Sequence, residues 1–108
     1  MPKGRQRSID TLSLPLVTWL MCTSSEDDLL HRAIKSCLMQ TFTEFELLIV
    51  VNGQNFKHLA EVLCRTYEFD KRVRVIETPV HQLNFSLSLG LHLARAPFVA
   101  RIDADDVS

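Results

Sequence analysis

Two aspartates close to the end of the chain are the residues best suited to chemistry. Asp103 and Asp105 follow a short apolar run at residues 98–102, with one alanine between them. Alternate side chains of an extended backbone point to the same side, and their Cα atoms lie roughly 6.6 Å apart at about 3.3 Å per residue. Such a pair can bind one hard cation, Mg²⁺ or Mn²⁺, whose remaining positions are filled by water and phosphate. A solvated acidic turn is the alternative interpretation, and the surrounding elements have to decide between the two.

The composition is ordinary for one soluble globular domain. Hydrophobic residues make up 46% and charged residues 23% of the 108 residues, which is enough for a real core. A net charge of −1 gives no electrostatic case for nucleic acid, so no such partner is expected. Three cysteines without a Cys-x-x-Cys pair predict reduced thiols and a cytoplasmic location. No apolar run approaches the roughly 20 residues of a membrane span.

Strand and helix patterns alternate along the chain after a basic leader, predicted to be flexible, at residues 1–14. Apolar runs at residues 16–21, 45–51, 73–77 and 98–102 are typical of strands, and the second is apolar almost throughout, as in a strand covered on both faces. Three helical stripes lie between them: Leu29, Leu30, Ala33, Ile34, Cys37 and Leu38; Phe56, Leu59, Ala60, Leu63 and Tyr67; Leu83, Leu87, Leu91 and Ala94. The order β-α-β-α-β-α-β predicts an α/β fold with a doubly wound, mainly parallel sheet over residues 15–108.

Ligands of such sheets bind beyond the carboxyl ends of the strands. The candidate loops are therefore residues 22–25, 51–55, 78–83 and 103–108. The acidic pair lies in the fourth loop, which favours the cation site over the solvated turn. Gly53 is expected to supply the backbone freedom for a tight turn, and Trp19 and Phe98 are expected to be core aromatics. Arg101 shares a strand face with Asp103, so the two either pair or Arg101 ends the strand exposed.

Three stretches of sequence carry a resemblance to a known family. They are residues 15–23 with Leu30, Ala33 and Ile34; SCLMQTF at 36–42 followed by FELLIVVNG at 45–53; and Gly90 and Ala94 leading to IDADD at 102–106. In this order and at this spacing they are similar to the signature stretches of the family 2 glycosyltransferases, an inverting class with an A-type, nucleotide-diphospho-sugar transferase-like fold.

The resemblance implies a nucleotide-diphosphate sugar donor, a UDP-sugar by default, held across the candidate loops. The donor-binding residues that it implies are Cys22, Thr23, Ser25, Val51, Asn52 and Asp103. Asp103 and Asp105 would bind Mn²⁺ or Mg²⁺, which neutralises the leaving diphosphate. The acceptor would be a glycan or a lipid-linked glycan, as in polysaccharide biosynthesis, and the full-length enzyme would associate peripherally with a membrane.

Several positions depart from the family's pattern. Cys22 stands in place of Pro, and Ser25 and Ser88 each stand in place of Asn. Val51 occupies the place of the first Asp in the base-reading pair, and valine cannot accept a hydrogen bond from a uracil N–H, whereas the amide oxygen of Asn52 can.

An inverting transfer needs a general base that deprotonates the acceptor. The resemblance places that base beyond Ser108, so no catalytic residue is assigned within the chain. The chain is therefore interpreted as the donor-binding half of a glycosyltransferase, without transferase activity alone.

Other function classes stay open. A degenerate family member that binds nucleotide without turnover is compatible with Val51. A nucleotidyltransferase would need a Gly-rich, basic loop after the first strand, but residues 22–28 contain no Gly, Lys or Arg. A flavodoxin-like receiver module would carry its acidic residues after the first strand, whereas here they follow the fourth.

Overall fold

The structure is a computed structural model that describes residues 14–103 of the chain. Four strands alternate with three helices in this range: β1 (Val17–Thr23), α1 (Asp28–Leu38), β2 (Phe45–Val51), α2 (Phe56–Thr66), β3 (Val73–Glu77), α3 (Leu83–Leu93) and β4 (Phe98–Arg101). Every strand pairing is parallel, and the order across the sheet is β3-β2-β1-β4. The predicted α/β fold with a doubly wound parallel sheet is confirmed.

The described range leaves out two of the predicted features. Apart from Leu14, the predicted leader lies outside it, and so does Asp105. Among residues 14–103, no helix combines the length and the apolar character that crossing a bilayer requires.

The centre of the fold is β2, in which all seven residues are buried. Strands β1 and β3 flank it. On one face of the sheet a large core cluster joins the strands to α1 and α2 through residues such as Ile34, Ile49 and Leu63. On the other face a smaller cluster of Leu20, Leu48 and Val50 packs against α3. Covering on both faces is what the continuous apolar run of β2 predicts.

Helix α1 begins at a side-chain cap. Asp27 is the N-cap residue, and its Oδ1 accepts a hydrogen bond of 2.9 Å from the Leu30 N–H. Such a cap contributes about 1 kcal/mol. The predicted stripe is largely confirmed, but Leu29 is 46% exposed. The cap therefore fixes the point at which the loop after β1 ends and the helix starts.

The predicted apolar stripe of α3 is only partly confirmed: Leu87 and Ala94 pack against the smaller cluster, but Leu83 and Leu91 are exposed. The buried residues of the helix are Ser86 and Gly90. A Cβ added at Gly90 would lie 3.0 Å from Leu20 Cδ2 and 3.2 Å from Leu20 Cγ, and nearer still to Cδ1. The helix therefore approaches β1 through its small residues, because the missing side chain leaves room for that of Leu20.

The two aromatic residues expected in the core have different outcomes. Trp19 is partly buried and packs against the larger cluster, as predicted. Phe98 is 70% exposed, so the prediction for it is wrong. The reason is the position of β4, which pairs with β1 at the outer side of the described sheet and buries little of its own surface.

A charged residue, Glu46, lies in the buried strand β2 and is 4% exposed. Its carboxylate accepts hydrogen bonds from Thr18 Oγ1 at 2.6 Å, from Arg74 at 2.7 Å and from the Arg95 N–H at 2.7 Å. Burial alone would raise the pKa of Glu46, but these three hydrogen bonds and the charge of Arg74 outweigh it and hold that pKa below its usual value. The cluster ties β1, β2, β3 and the turn after α3 together.

Candidate functional site

Backbone hydrogen bonds bring the candidate loops together at the carboxyl edge of the sheet. The Asn52 N–H donates to Thr23 O at 3.0 Å, and the Thr78 N–H donates to Val51 O at 2.9 Å. On the other side, the Ile102 N–H donates to Leu20 O at 2.9 Å. The loops after β1, β2 and β3 are thereby adjacent, and the chain leaving β4 runs beside β1.

A cleft of about 150 Å³ opens at this edge. Its lining residues are Cys22, Thr23, Ser24, Asn52, His81 and Leu83. Sites for drug-sized ligands measure about 300–1,000 Å³, so the cleft has room for only one moiety of such a ligand. Cys22, Thr23 and Asn52 were predicted for such a site, whereas His81 and Leu83 were not. Their signal in the sequence was their position in a loop that follows a parallel strand.

Ser25 does not line the cleft, although the sequence predicts it as a binding residue. The Thr23 hydroxyl donates to the carbonyl oxygen of Ser25 at 2.9 Å and accepts from its N–H at 3.4 Å. Thr23 and Ser25 therefore shape the loop after β1 by bonding to each other.

Asn52 is the most constrained polar residue of the cleft. It is 5% exposed, and its Nδ2 donates to the Oγ of the fully buried Ser86 at 2.7 Å. Its Oδ1 is buried and has no hydrogen-bond partner within residues 14–103. A buried acceptor left unsatisfied costs about 1–3 kcal/mol, so this oxygen is suited to accept a hydrogen bond from a ligand.

Val51 occupies a different place from the one predicted. Its side chain is fully buried in the larger core cluster and does not line the cleft. Alternate side chains of a strand point to opposite faces, and those of Val51 and Val50 pack in different clusters. A direct side-chain contact between Val51 and a base therefore has no support in the structure, and its carbonyl already accepts from Thr78.

Gly53 allows the loops after β1 and β2 to meet. Its φ of +95° lies in the left-handed region that disfavours other residues, which confirms the predicted turn. A Cβ at Gly53 would also lie 3.3 Å from Ser24 Cβ. Both facts require glycine where the two loops approach.

Asp103 lies at the end of the described chain with its side chain 53% exposed. Arg101 Nε donates to its Oδ1 at 2.9 Å, so the two residues pair. No group of three or more His, Cys, Asp or Glu side chains within residues 14–103 forms a metal cage. Mg²⁺ and Mn²⁺ require only one or two protein carboxylates beside water and phosphate, and an exposed Asp103 fits that donor set. Asp105, the other predicted ligand, lies outside the described residues.

The three cysteines are free thiols in different environments. Burial raises the pKa of Cys22, in the cleft, and the Arg101 charge opposes this shift while Asp103 adds to it. Burial in the core raises the pKa of Cys37 to about 11. Cys64 is exposed on α2. The three thiols therefore differ in accessibility, and Cys22 is the one that lines the cleft.

Comparisons with known proteins agree with this architecture. Residues 18–108 match the model of the family "Glycosyl transferase family 2". The chain is 33% identical over 95 residues to the O-antigen biosynthesis glycosyltransferase WbnJ of Escherichia coli, covering 88% of this chain and 37% of that enzyme. It is 28% identical over 102 residues to the uncharacterized glycosyltransferase MJ1057 of Methanocaldococcus jannaschii, covering 93% of this chain and 35% of the relative.

The fold is similar to that of S. aureus TarS residues 1–349, with a TM-score of 0.72 and 20% identity, over 85% of this chain and 28% of the TarS chain. The chain thus spans about a third of the length of these proteins. Because the family model covers most of the chain, and because the sheet topology agrees with it, the chain belongs to glycosyl transferase family 2.

Proposed function

We propose that the chain binds the nucleotide-diphosphate sugar donor of a metal-dependent, inverting glycosyltransferase. One observation carries this proposal: Asn52, which lines the cleft at the carboxyl edge, has a buried amide oxygen, Oδ1, without a partner among the described residues. Family membership supplies the class of ligand. The E. coli relative is named for O-antigen biosynthesis, which supports a glycan or lipid-linked glycan as acceptor.

In this proposal the cleft holds the base. Asn52 Oδ1 accepts a hydrogen bond from a ring N–H, such as that of uracil, and Ser86 holds the amide in place through Nδ2. Leu83 provides apolar surface for the ring. Thr23 keeps the loop after β1 in a fixed conformation through its two bonds to Ser25. A UDP-sugar is the default donor, because the N3–H of uracil can donate to such an acceptor; the N1–H of guanine can do so too, and the titration below compares the two bases.

The diphosphate is proposed to lie toward the chain that leaves β4. Asp103 and Asp105 would hold Mn²⁺ or Mg²⁺, which supplies charge neutralisation for the departing diphosphate. Asp103 is oriented by the hydrogen bond from Arg101 Nε. The guanidinium of Arg101 adds a positive charge beside the same carboxylate, where phosphate oxygens would otherwise be repelled.

We propose that donor binding, and not complete transfer, is the activity of these 108 residues. The chain spans 37% of the E. coli enzyme, and none of its described residues is assigned as the general base. A base beyond Ser108 stays a prediction, and sugar transfer catalysed by the chain alone would contradict it.

Calorimetric titration with uridine diphosphate and guanosine diphosphate tests the proposal. We expect uridine diphosphate to bind in the presence of Mn²⁺, and its affinity to fall at least about tenfold when the metal is chelated. Asp105→Ala should bind as weakly with Mn²⁺ as without it. Asn52→Leu, which has a similar volume but no acceptor, should lower the affinity at least about tenfold with or without the metal.

Glu61→Ala is the matched control, because Glu61 is an exposed carboxylate on α2 whose partner is Arg65. Its affinity should equal that of the wild type. If the nucleotide affinity is unchanged by removal of the metal and by Asp105→Ala, the result would instead support a degenerate family member that binds nucleotide without turnover. Absence of binding by both nucleotides in the folded chain would refute the donor site.

Thiol labelling gives a second test. With a small maleimide we expect the exposed Cys64 to react first and the buried Cys37 last, because burial keeps the reagent away from Cys37 and raises its pKa to about 11. Uridine diphosphate with Mn²⁺ should slow the labelling of Cys22 and leave that of Cys64 unchanged. Mass spectrometry of peptides from timed samples measures the three rates. Equal labelling of Cys22 with and without nucleotide would contradict a ligand in the cleft.

A further inference from the structure

The edge of the sheet opposite the candidate donor site also carries a cleft. In a parallel sheet with helical crossovers, the segments that enter the strands meet at the amino edge. The cleft there has a volume of about 320 Å³ and is lined by all four entering segments. Its lining includes Leu14 before β1, Thr43 before β2, Lys71 before β3 and Arg95 before β4. We call the exposed surface of these four segments the amino-edge surface.

The amino-edge surface exposes large apolar side chains in each of its four segments. Met39 is 82% exposed and Phe42 is 41% exposed in the segment before β2, and Phe69 is 75% exposed before β3. Leu14 is 52% exposed before β1, and Phe98 is 70% exposed at the start of β4. Single exposed apolar residues are ordinary on protein surfaces, but their repetition in every segment at one edge indicates a common partner.

Basic side chains stand among these apolar ones. Lys71 and Arg95 are exposed and form no ion pair within residues 14–103. Lys35 lies in the last turn of α1, where the helix dipole favours it. The dipole does not account for Lys71 and Arg95, which lie outside the helices. Arg72 is paired with Asp70 at 2.7 Å, so its charge is already compensated.

Acidic residues are concentrated at the other edge of the sheet. Glu26, Asp27 and Asp28 follow β1, Asp103 follows β4, and Glu77 is the last residue of β3. The segments that enter β2 and β3 contribute the exposed Glu44 and Glu68 to the amino edge. The two edges therefore differ in charge, and an anionic partner fits the amino edge better.

We propose that the amino-edge surface binds a membrane containing anionic phospholipids. Phe and Met side chains on protruding loops can enter the boundary between headgroups and acyl chains, and each Lys or Arg near an anionic leaflet adds attraction to it. Protein interfaces are enriched in Phe, Met and Arg but depleted of Lys, so the exposed Lys35 and Lys71 are the residues that favour a lipid over a protein partner. In this proposal Lys71 and Arg95 meet a lipid phosphate at the cleft, which the exposed Glu44 and the Arg74-paired Glu46 also line.

This orientation places the candidate donor site away from the bilayer. Strands of five to seven residues separate the two edges, which is a distance of about 20 Å at 3.3 Å per residue. The proposal does not depend on the identity of the donor, and its failure would leave the donor site untouched.

Vesicle flotation of the 108-residue chain tests the proposal, with phosphatidylcholine vesicles compared with vesicles that also contain phosphatidylglycerol. We expect binding to the anionic vesicles only, and weaker binding at high salt. Lys71→Gln and Arg95→Gln should each lower the partition coefficient about fivefold. Phe69→Ser should lower it as well. Arg95→Gln keeps the backbone N–H that bonds to Glu46, so the fold is preserved.

Matched controls come from the opposite edge. Lys57→Gln removes an exposed charge at the start of α2, and Leu29→Ser removes an apolar side chain at the start of α1 that is 46% exposed. Both should bind vesicles like the wild type, and circular dichroism should show that every variant is folded. No binding to anionic vesicles, or equal losses in the amino-edge and control variants, overturns the proposal. Self-association without vesicle binding overturns it too, because it would make a second copy of the chain the partner.

Discussion

Replacing Glu46 with alanine is expected to lower the free energy of unfolding by about 3 kcal/mol, because breaking a buried pair leaves its partners without compensation. Thr18, Arg74 and the Arg95 N–H would all lose their acceptor. A domain of this size has a total stability of about 5–15 kcal/mol, so the variant loses a large share of it. Urea unfolding followed by circular dichroism measures the change.

Glu61→Ala serves again as the control, since its exposed pair with Arg65 should contribute no more than about 0.5 kcal/mol. Equal destabilisation of the two variants would show that the buried hydrogen bonds of Glu46 contribute no more to stability than an exposed ion pair does.

Lowering the pH should weaken the same hydrogen bonds of Glu46. The pKa of Glu46 is lower in the folded chain than its ordinary value of 4.5, so its contribution is complete above pH 4.5 and is lost as the pH falls through the folded pKa. Glu46→Gln should therefore show a shallower loss of stability than the wild type as the pH falls below 4.5. Identical slopes would contradict the assignment.

The second large effect is expected at Gly90. Gly90→Ala should destabilise the fold by about 2 kcal/mol, because a methyl group there meets the side chain of Leu20 in the core. This result would be opposite in sign to the gain that alanine normally brings within a helix. Thermal unfolding should show a decrease of roughly 8–16 °C in the melting temperature.

A double-mutant cycle separates overpacking from other causes. Leu20→Ala alone creates a cavity and should cost about 2–4 kcal/mol, but adding Gly90→Ala to it should cost much less than Gly90→Ala costs in the wild type. Additive losses would show that Leu20 is not the obstacle. A displaced α3 would also carry Ser86 away from Asn52, so weakened nucleotide binding should accompany the loss in stability.

Continuous apolar runs made the sheet predictable. The seven residues of β2 predicted a strand covered on both faces, and every one of them is buried. The helical stripes between the strands then predicted parallel pairing, because parallel strands need a crossover connection and a helix commonly forms it. These signals are local in the sequence and strong.

Features that depend on distant contacts were not predictable. The stripe predicted for α3 was only half right, since Leu87 and Ala94 pack against the core but Leu83 and Leu91 are exposed. That helix is apolar on most sides, so hydropathy could not tell which face meets the sheet. Small residues at Ser86 and Gly90 were the better signal, since they permit close approach. Phe98 failed because an apolar run does not reveal whether its strand lies at the centre or the outside of a sheet. Two partners of Glu46, Thr18 and Arg74, lie 28 residues away on either side along the chain, and the third, Arg95, lies 49 residues away.

The candidate site was predictable in its location but not in its side chains. Parallel topology placed the four loops at one edge, where the structure has a cleft. Assigning Val51 to the base required its side chain to face the cleft, and the strand places it in the core instead. The open acceptor of Asn52 emerges only from its contact with Ser86, on a helix 34 residues further along.

The position of β4 gives the two sides of the candidate site unequal rigidity. The loop after β2 continues from a strand that is buried throughout. The backbone amides of β2 should therefore exchange with deuterium only on global unfolding. The chain that carries Asp103 instead continues from a four-residue outer strand whose residues are mostly exposed. Local opening of β4 should therefore be frequent, and cation binding at its end should be measurable as slower deuterium uptake across that strand.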